Sequence, residues 1–427
     1  MERMLFFLLA VTPIIPVIPL GGGIPALRLI VPAAVFVWFM RGAARKSLKI
    51  PFTPTFFLLF LFISYSVLSL LWSNEPMAGI RKAILWCTFF PLTLVLAEAV
   101  EDEKTFHTIV RGVGAGAIIS AAVGSGQFLL QFIFGPEVVG RFVFSFLPLF
   151  IGGGAANAVF QFPSWFVNIA GITFLRSGGL FPDPHTFALY SGMTLPFVAL
   201  CVMKQKESVR SFFLLLPIIA VLFSFSRGAY FALILSTAST ALIFRHRIIF
   251  FVRTRKKIFA GLLFALMIAF VTLQPIAQRF FSAFNAREGS NEQRIEIWRR
   301  AIDAAKENPI FGTGLGNFPA TQDVFAENRS PINAHNTYIE VLVDEGIIGF
   351  LLFLSLFISL LWGRGRAWER AGPSERGIIG ATLFSVIFFL LHGIFETIIF
   401  SPPNLVILTL LFAIMLRYAP VKRVSAY

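Results

Sequence analysis

Residues 54–72 read Pro54-Thr55-Phe56-Phe57-Leu58-Leu59-Phe60-Leu61-Phe62-Ile63-Ser64-Tyr65-Ser66-Val67-Leu68-Ser69-Leu70-Leu71-Trp72, without one charged side chain. A helix needs about 20 such residues to cross roughly 30 Å of hydrocarbon, so this run reads as a membrane span. Comparable apolar blocks lie near 4–20, 24–40, 81–98, 108–133, 186–203, 211–225, 228–244, 258–275, 339–362, 377–396 and 401–418. Composition agrees: of 427 residues, 57% are hydrophobic and only 14% charged, against about 25% charged in soluble domains. The 52 phenylalanines suit lipid-facing and helix-packing surfaces better than a water-exposed fold. The expectation is an all-α integral membrane protein with about twelve transmembrane helices.

The net charge of +14 would suggest nucleic acid in a soluble protein. Here the basic residues flank spans and act as topology signals, so no nucleic-acid partner is expected. Most of the 36 Lys and Arg fall in loops assigned to one side. These include Arg41, Arg45, Lys46 and Lys49; Lys204, Lys206 and Arg210; Arg245, Arg247, Arg253, Arg255, Lys256 and Lys257; and Arg364, Arg366, Arg370 and Arg376. The positive-inside rule makes that side cytoplasmic and puts both termini there. Met4–Leu20 reads as the first span and not as a removed signal peptide, because no small-residue cleavage site precedes a soluble domain. Cys87 and Cys201 lie at different expected depths, which argues against a disulfide or a metal site between them.

Two long outward loops, near 134–185 and 276–338, divide the chain into a 1–185 region and a 186–427 region. Long loops in compact proteins often carry function. The apolar segment 138–175 is broken by Pro148, Gly152-Gly153-Gly154 and Pro163, and reads as an interfacial or re-entrant piece. No internal repeat is visible, which weakens a transporter built from two related halves.

The second loop carries an interfacial helix. Ser290 and Gln293 have capping-box spacing, and Ile295, Trp298, Ile302 and Ala305 recur at helical intervals until Pro309. Arg294 and Trp298 share a side one turn apart, so Arg294, with Arg299 and Arg300, binds either lipid headgroups or a substrate phosphate. The glycines of Phe311-Gly312-Thr313-Gly314-Leu315-Gly316-Asn317 permit tight turns, but no strand precedes them, so they are not a dinucleotide fingerprint. His335 follows at the outer boundary of the tenth span. An imidazole there is either structural or a base, since it is the side chain suited to taking a hydroxyl proton near neutral pH. Arg227 sits between two spans that are otherwise uncharged, where a charge is costly without a partner. Arg176 lies just ahead of the sixth span. Arginine forks pair bidentately with phosphate, so outward arginines with one histidine suit a lipid-linked pyrophosphate and an acceptor hydroxyl. No DxD-type acidic pair lies outside, and neither a metal nor a cofactor is expected. His392 and Glu396, one turn apart on the eleventh span, either line the same cavity or form a buried structural pair.

Taken in order, Ser226-Arg227-Gly228, Arg294-(x)3-Trp298, Asn308-Pro309-(x)2-Gly312-x-Gly314-x-Gly316-Asn317-Phe318 and His335-Asn336-x-Tyr338-(x)6-Glu345-Gly346-(x)2-Gly349 resemble the O-antigen ligase/polymerase family. The resemblance covers about residues 221–420, and the first 170 residues share only hydropathy and span count. It implies a metal-independent, inverting glycosyltransferase of a bacterial cytoplasmic membrane, with its active site on the periplasmic face. The implied donor is an undecaprenyl-pyrophosphate-linked glycan, and the implied acceptor a lipid-linked repeat or lipid A-core. His335 would be the general base. Arg227 and Arg294, with Arg176 as a third member, would hold the pyrophosphate, and Asn336, Tyr338, Glu345, His392 and Glu396 would support the site. The stretch Gly179–Pro184 looks more like the polymerases, although His185 stands where those often have Asn. A transporter of lipid-linked sugars would instead gather polar residues near the bilayer midplane, and a scaffold would depend on no single polar side chain.

Overall fold

Proline and short polar caps set where the helices begin. The computed structural model describes residues 2–18, 24–46, 48, 50–153, 156–157, 164–203, 205–244, 274–285, 289–322, 334–362, 367–369, 371–397 and 400–418. The helices are α1 (Glu2–Val11), α2 (Leu27–Ala44), α3 (Pro54–Leu68), α4 (Pro76–Phe89), α5 (Leu92–Ala99), α6 (Glu103–Phe134), α7 (Pro136–Phe146) and α8 (Pro148–Ile151), continuing with α9 (Pro184–Val202), α10 (Glu207–Phe223), α11 (Arg227–Ile243) and α12 (Gln274–Phe281). Then follow α13 (Gly289–Glu307), α14 (Thr337–Leu361), α15 (Pro373–His392) and α16 (Pro402–Arg417). Thr53, Asp102, Asp183, Ser226 and Asn336 each accept a backbone N–H as the N-cap of α3, α6, α9, α11 and α14. Such caps satisfy donors that the first helical turn leaves unpaired. Pro at the first turn of α3, α4, α7, α9, α15 and α16 sacrifices no hydrogen bond.

Among the described residues, seven helical segments are long and apolar enough to cross a membrane. They are 27–44, 54–72, 76–99, 103–134, 184–202, 337–361 and 375–392, and 211–223, 227–243 and 402–417 are shorter apolar helices. The span expected at 258–275 lies outside the described residues except for its last two positions, and the basic segment 245–257 lies wholly outside them. The span expected at 4–20 stops being α-helical at Val11: a 3-10 turn, Thr12–Ile14, follows, then the short hairpin of β1 (Val17–Ile18) with β2 (Ile24–Pro25). Pro13 and Pro16 lack the N–H groups that would continue it. The span expected at 81–98 falls within the 76–99 segment, in which α4 and α5 meet at a turn at Phe90-Pro91. Within the first long loop, α7 and α8 lead to an antiparallel hairpin of β3 (Phe166–Ile169) and β4 (Ile172–Leu175), strand structure that the helical expectation did not include.

Of the seven long spans α9 is the most buried, at 67%, whereas α2 buries only 22% and leaves most of its apolar surface outward; the shorter α16 is buried throughout Asn404–Leu416. Helix α9 packs against α6, α10, α15 and α16, while α14 packs on α3 and α11 on α15. These contacts bring together the N-terminal ends of α9, α11 and α14 and the segment just after α15.

Candidate active site

The glycine-rich run 312–316 folds as a clamp on α14. Thr313 and Gly314 donate N–H bonds to the Val343 and Asp344 carbonyls (2.9 and 2.7 Å), and Ile347 donates to the Pro309 carbonyl (2.9 Å). The Asp344 carboxylate accepts from the Gly316 and Phe318 N–H groups at 2.8 and 2.7 Å. At this point α14 kinks: Gly346 has φ 64 and ψ −167, a conformation essentially confined to glycine. A Cβ at Gly346 would lie 2.3 Å from the Ile310 carbonyl oxygen. From α4, Lys82 Nζ pairs with Glu340 at 2.7 Å and Asp344 at 3.2 Å, tying the N-terminal region to the same turn. A cavity of about 20 Å³ opens among Lys82, Glu340, Asp344, Glu345, Thr337 and Thr397. These ties fix the end of α14 on which His335 stands.

Around His335, the hub is Glu396. His335 Nδ1 lies 2.8 Å from Glu396 Oε2, and Arg294 NH2 donates to Glu396 Oε1 at 2.5 Å. Arg294 NH1 also donates to the Phe395 carbonyl at 3.0 Å. His185 Nδ1 approaches Glu396 Oε1 at 3.1 Å. The backbone is held too: Thr337 Oγ1 donates to the Glu396 carbonyl at 2.8 Å, Thr337 N to the Gly393 carbonyl at 2.7 Å, and Asn336 N to Thr397 Oγ1 at 3.1 Å. Trp298 Nε1 donates to the Ala334 carbonyl at 2.8 Å. His335 itself has φ 48, a left-handed conformation uncommon outside glycine. Strained backbone of this kind concentrates at functional sites.

Burial alone would raise the Glu396 carboxyl, but the N–H groups of His185, Arg294 and His335 hold it well below the usual carboxylate range. Anionic Glu396 makes His335 Nδ1 the protonated nitrogen and leaves Nε2 as the basic one. That tautomer is the one a general base needs.

Six of the residues singled out in the sequence sit differently from one another. Arg227, at the first turn of α11, donates to the carbonyl and hydroxyl oxygens of Ser282 at 3.4 Å. Its neighbour Gly228 lies so close to Phe395 that a Cβ there would come within 2.6 Å of it, which puts Arg227 beside the hub. The Arg176 guanidinium turns inward, donating to the Ser224 and Ser164 carbonyls at 2.7 Å each, and its NH2 lies 3.2 Å from His185 Nε2. His392 and Glu396 do not share a helix, since α15 ends at His392; His392 Nε2 instead lies 3.4 Å from Ser226 Oγ. Asn336 caps α14 through the N–H groups of Tyr338 and Ile339. The Tyr338 hydroxyl donates to the Leu390 carbonyl of α15 at 2.8 Å. Glu345 accepts from Ser66 Oγ at 2.8 Å, beside the kink rather than at the hub.

On α13 the residues that pack inward and the exposed isoleucines lie on different sides of the helix. Ala301 is buried with Ile297, Ala304 and Ala305 against Phe318, Ala334 and Val343, whereas Ile295 and Ile302 are exposed. The inward stripe starts from Arg294 and continues at 297, 298, 301 and 305, so Ile295 and Ile302 fall one position round the helix. Two participants escaped the sequence reading. His185 was visible as a histidine following a cap, Asp183-Pro184, and Lys82 as a charge in a span, but their partners lie 211 and 258 or more positions away. Among the described residues, no group of three or more His, Cys, Asp and Glu side chains converges as a metal site would require.

The O-antigen ligase family profile matches residues 212–354. A curated relative, the exopolysaccharide production protein ExoQ of Rhizobium meliloti (strain 1021), is 29% identical over 80 residues. That similarity covers 17% of this chain and 18% of the relative, so the chain is matched to about a fifth of its length. The profile spans Arg227, Arg294, His335 and the Gly346 kink, and stops short of His392 and Glu396. Residues 212–354, which contain the motifs around Arg227, Arg294 and His335, are therefore the part of the chain that is similar to the O-antigen ligase family.

Proposed function

We propose that the protein is an inverting membrane glycosyltransferase that moves a glycan from undecaprenyl pyrophosphate onto a sugar hydroxyl, without a divalent metal. The observation that carries the proposal is the His335–Glu396–Arg294 arrangement: a base with one nitrogen held by a carboxylate, next to a fork suited to phosphate. His335 Nε2 takes the proton of the acceptor hydroxyl as its oxygen attacks the anomeric carbon. The bond from that carbon to the pyrophosphate oxygen breaks, and its electron pair leaves with the pyrophosphate. Arg294 and Arg227 stabilise the charge that grows there, the work that preorganised cations perform in other transferases. The N-terminal ends of α9, α11 and α14 add partial positive charge on the same side. The positive-inside reading puts this site on the periplasmic face of a bacterial inner membrane, with both termini cytoplasmic.

The resemblance to an exopolysaccharide production protein supports a polymerase acting on lipid-linked repeats. The family description supports a second reading, a ligase that caps lipid A-core with finished glycan. Purified protein given lipid-linked repeats with and without lipid A-core separates them: product ladders without core mark a polymerase, and capped core alone marks a ligase. His335→Ala is expected to abolish transfer in either case, and near wild-type turnover by that variant would remove His335 from the mechanism. Activity lost to EDTA and restored by magnesium would refute metal independence.

A further inference from the structure

Arg176 and His185 form a second layer behind the hub that the proposed reaction does not use. Arginine has only donors, so the atom 3.2 Å from Arg176 NH2, His185 Nε2, must be an acceptor without a hydrogen. Arg176 stays protonated in this setting: burial and the neighbouring Arg279 push it down to about 10, still far above neutral pH. The ring hydrogen of neutral His185 therefore sits on Nδ1, which faces Glu396 Oε1 at 3.1 Å and Ser226 Oγ at 3.0 Å. With Nδ1–H donating, the Ser226 hydroxyl hydrogen is free to point at His392 Nε2, 3.4 Å away.

We infer that Arg176 acts as a tautomer lock: it holds His185 as a neutral Nδ1–H donor to Glu396, so that His185 positions the carboxylate of the His335 dyad instead of competing as a base. Arg176 then belongs to the scaffold of the dyad and not to the pyrophosphate site. Its other two bonds, to the carbonyls of Ser164 and Ser224, fit this role because they leave the guanidinium facing inward. The remaining charged or titratable groups near the pair are Asp183, Tyr230 and Arg279 on the Arg176 side and Arg294, His335 and His392 on the Glu396 side. Asp183 is committed to capping α9 through the N–H groups of His185 and Thr186, which fixes the backbone from which the His185 ring projects.

The kinetic part of this inference rests on His335 as the base; the tautomer does not. Ring ¹⁵N shifts of histidine-labelled protein report the tautomer directly, and with five histidines in the chain the His185 signals can be assigned from His185→Ala. If that variant does not fold, removing the other histidines one at a time assigns them. The expected wild-type result is a neutral Nδ1–H ring at His185 that keeps this form across the pH range in which a free imidazole titrates. In Arg176→Met, Glu396 still faces Nδ1, so the ring should begin to titrate by taking a proton on Nε2. A wild-type His185 in the Nε2–H form, or one titrating like a free imidazole, would overturn the inference. In transfer assays, His185→Ala removes one donor from Glu396 and concentrates its charge on His335. The acid limb of the kcat/KM profile should then move to higher pH by roughly half to one unit. Donor KM should change less than about twofold in Arg176→Met. An unmoved acid limb would remove His185 from the positioning of Glu396, and a tenfold rise in donor KM in Arg176→Met with the tautomer unchanged would return Arg176 to the pyrophosphate site. Turnover by His335→Ala would defeat the catalytic reading alone and leave the ring measurement standing.

Discussion

Replacing Glu396 by Gln tests the site most sharply, because the amide keeps the shape and changes only charge and donor pattern. Glu396 accepts from three directions: Arg294 and His185 at Oε1, and His335 at Oε2. An amide offers one oxygen and one NH2. The two donors at the Oε1 position compel the oxygen to face them, so the NH2 group faces His335 Nδ1. That nitrogen must then become the acceptor, and the ring hydrogen moves to Nε2, the atom required as the base. A wrong-tautomer histidine in an acid–base dyad costs about 10⁴-fold in turnover, equivalent to ~5 kcal/mol of lost transition-state stabilisation. A second, smaller effect falls on stability. Arg294, whose side chain is 18% exposed, loses its counter-charge, and partial hydration keeps the cost near ~2–3 kcal/mol, below that of a fully buried pair. The assay is transfer from lipid-linked repeats by detergent-purified Glu396→Gln, with monodispersity and thermal unfolding as controls for folding. Turnover within about tenfold of wild type by a folded variant would falsify the dyad assignment.

Three further outcomes follow from the same contacts. Lys82→Met strands the Glu340 and Asp344 carboxylates, which pair with Lys82 at 2.7 and 3.2 Å; destabilisation of roughly 3–5 kcal/mol is expected, and an unchanged Tm in detergent would show the pair to be dispensable. Gly346→Ala meets both a glycine-only conformation and the Ile310 carbonyl at 2.3 Å, so a loss of at least about 2 kcal/mol is expected; wild-type unfolding would mean that the clamp can slide. Acid should also weaken the hub. Glu396 is held below the usual carboxylate range, so its contribution is fully present well above the unfolded value of about 4.3 and is lost as pH falls through the lower folded value. Unfolding measured from about pH 3 to 7 should show an acid loss in wild type that is reduced in Glu396→Gln, and parallel curves for the two proteins would contradict it.

Much of this protein could be read along the chain. Runs such as 54–72 announce a membrane protein because hydrocarbon demands long uncharged helices, a strictly local requirement. Helix starts rest on equally local chemistry, the caps formed by Asp183, Ser226 and Asn336. The Arg227, Arg294 and His335 motifs could likewise be singled out by position and type. What the local pattern misjudged was the end of the first helix, where Pro13 and Pro16 interrupt an apolar run that hydropathy alone joins. Tertiary structure alone decided the chemistry of the hub. Glu396 meets His335 across 61 positions, Arg294 across 102 and His185 across 211. Nothing in the sequence around any of them specifies such a meeting. It arises because the N-terminal ends of α9, α11 and α14 pack around the end of α15. The same packing turned the Arg176 guanidinium inward, onto the carbonyls of Ser224 and Ser164. A guanidinium's function depends on which acceptors surround it, and those acceptors exist only once the helices have assembled.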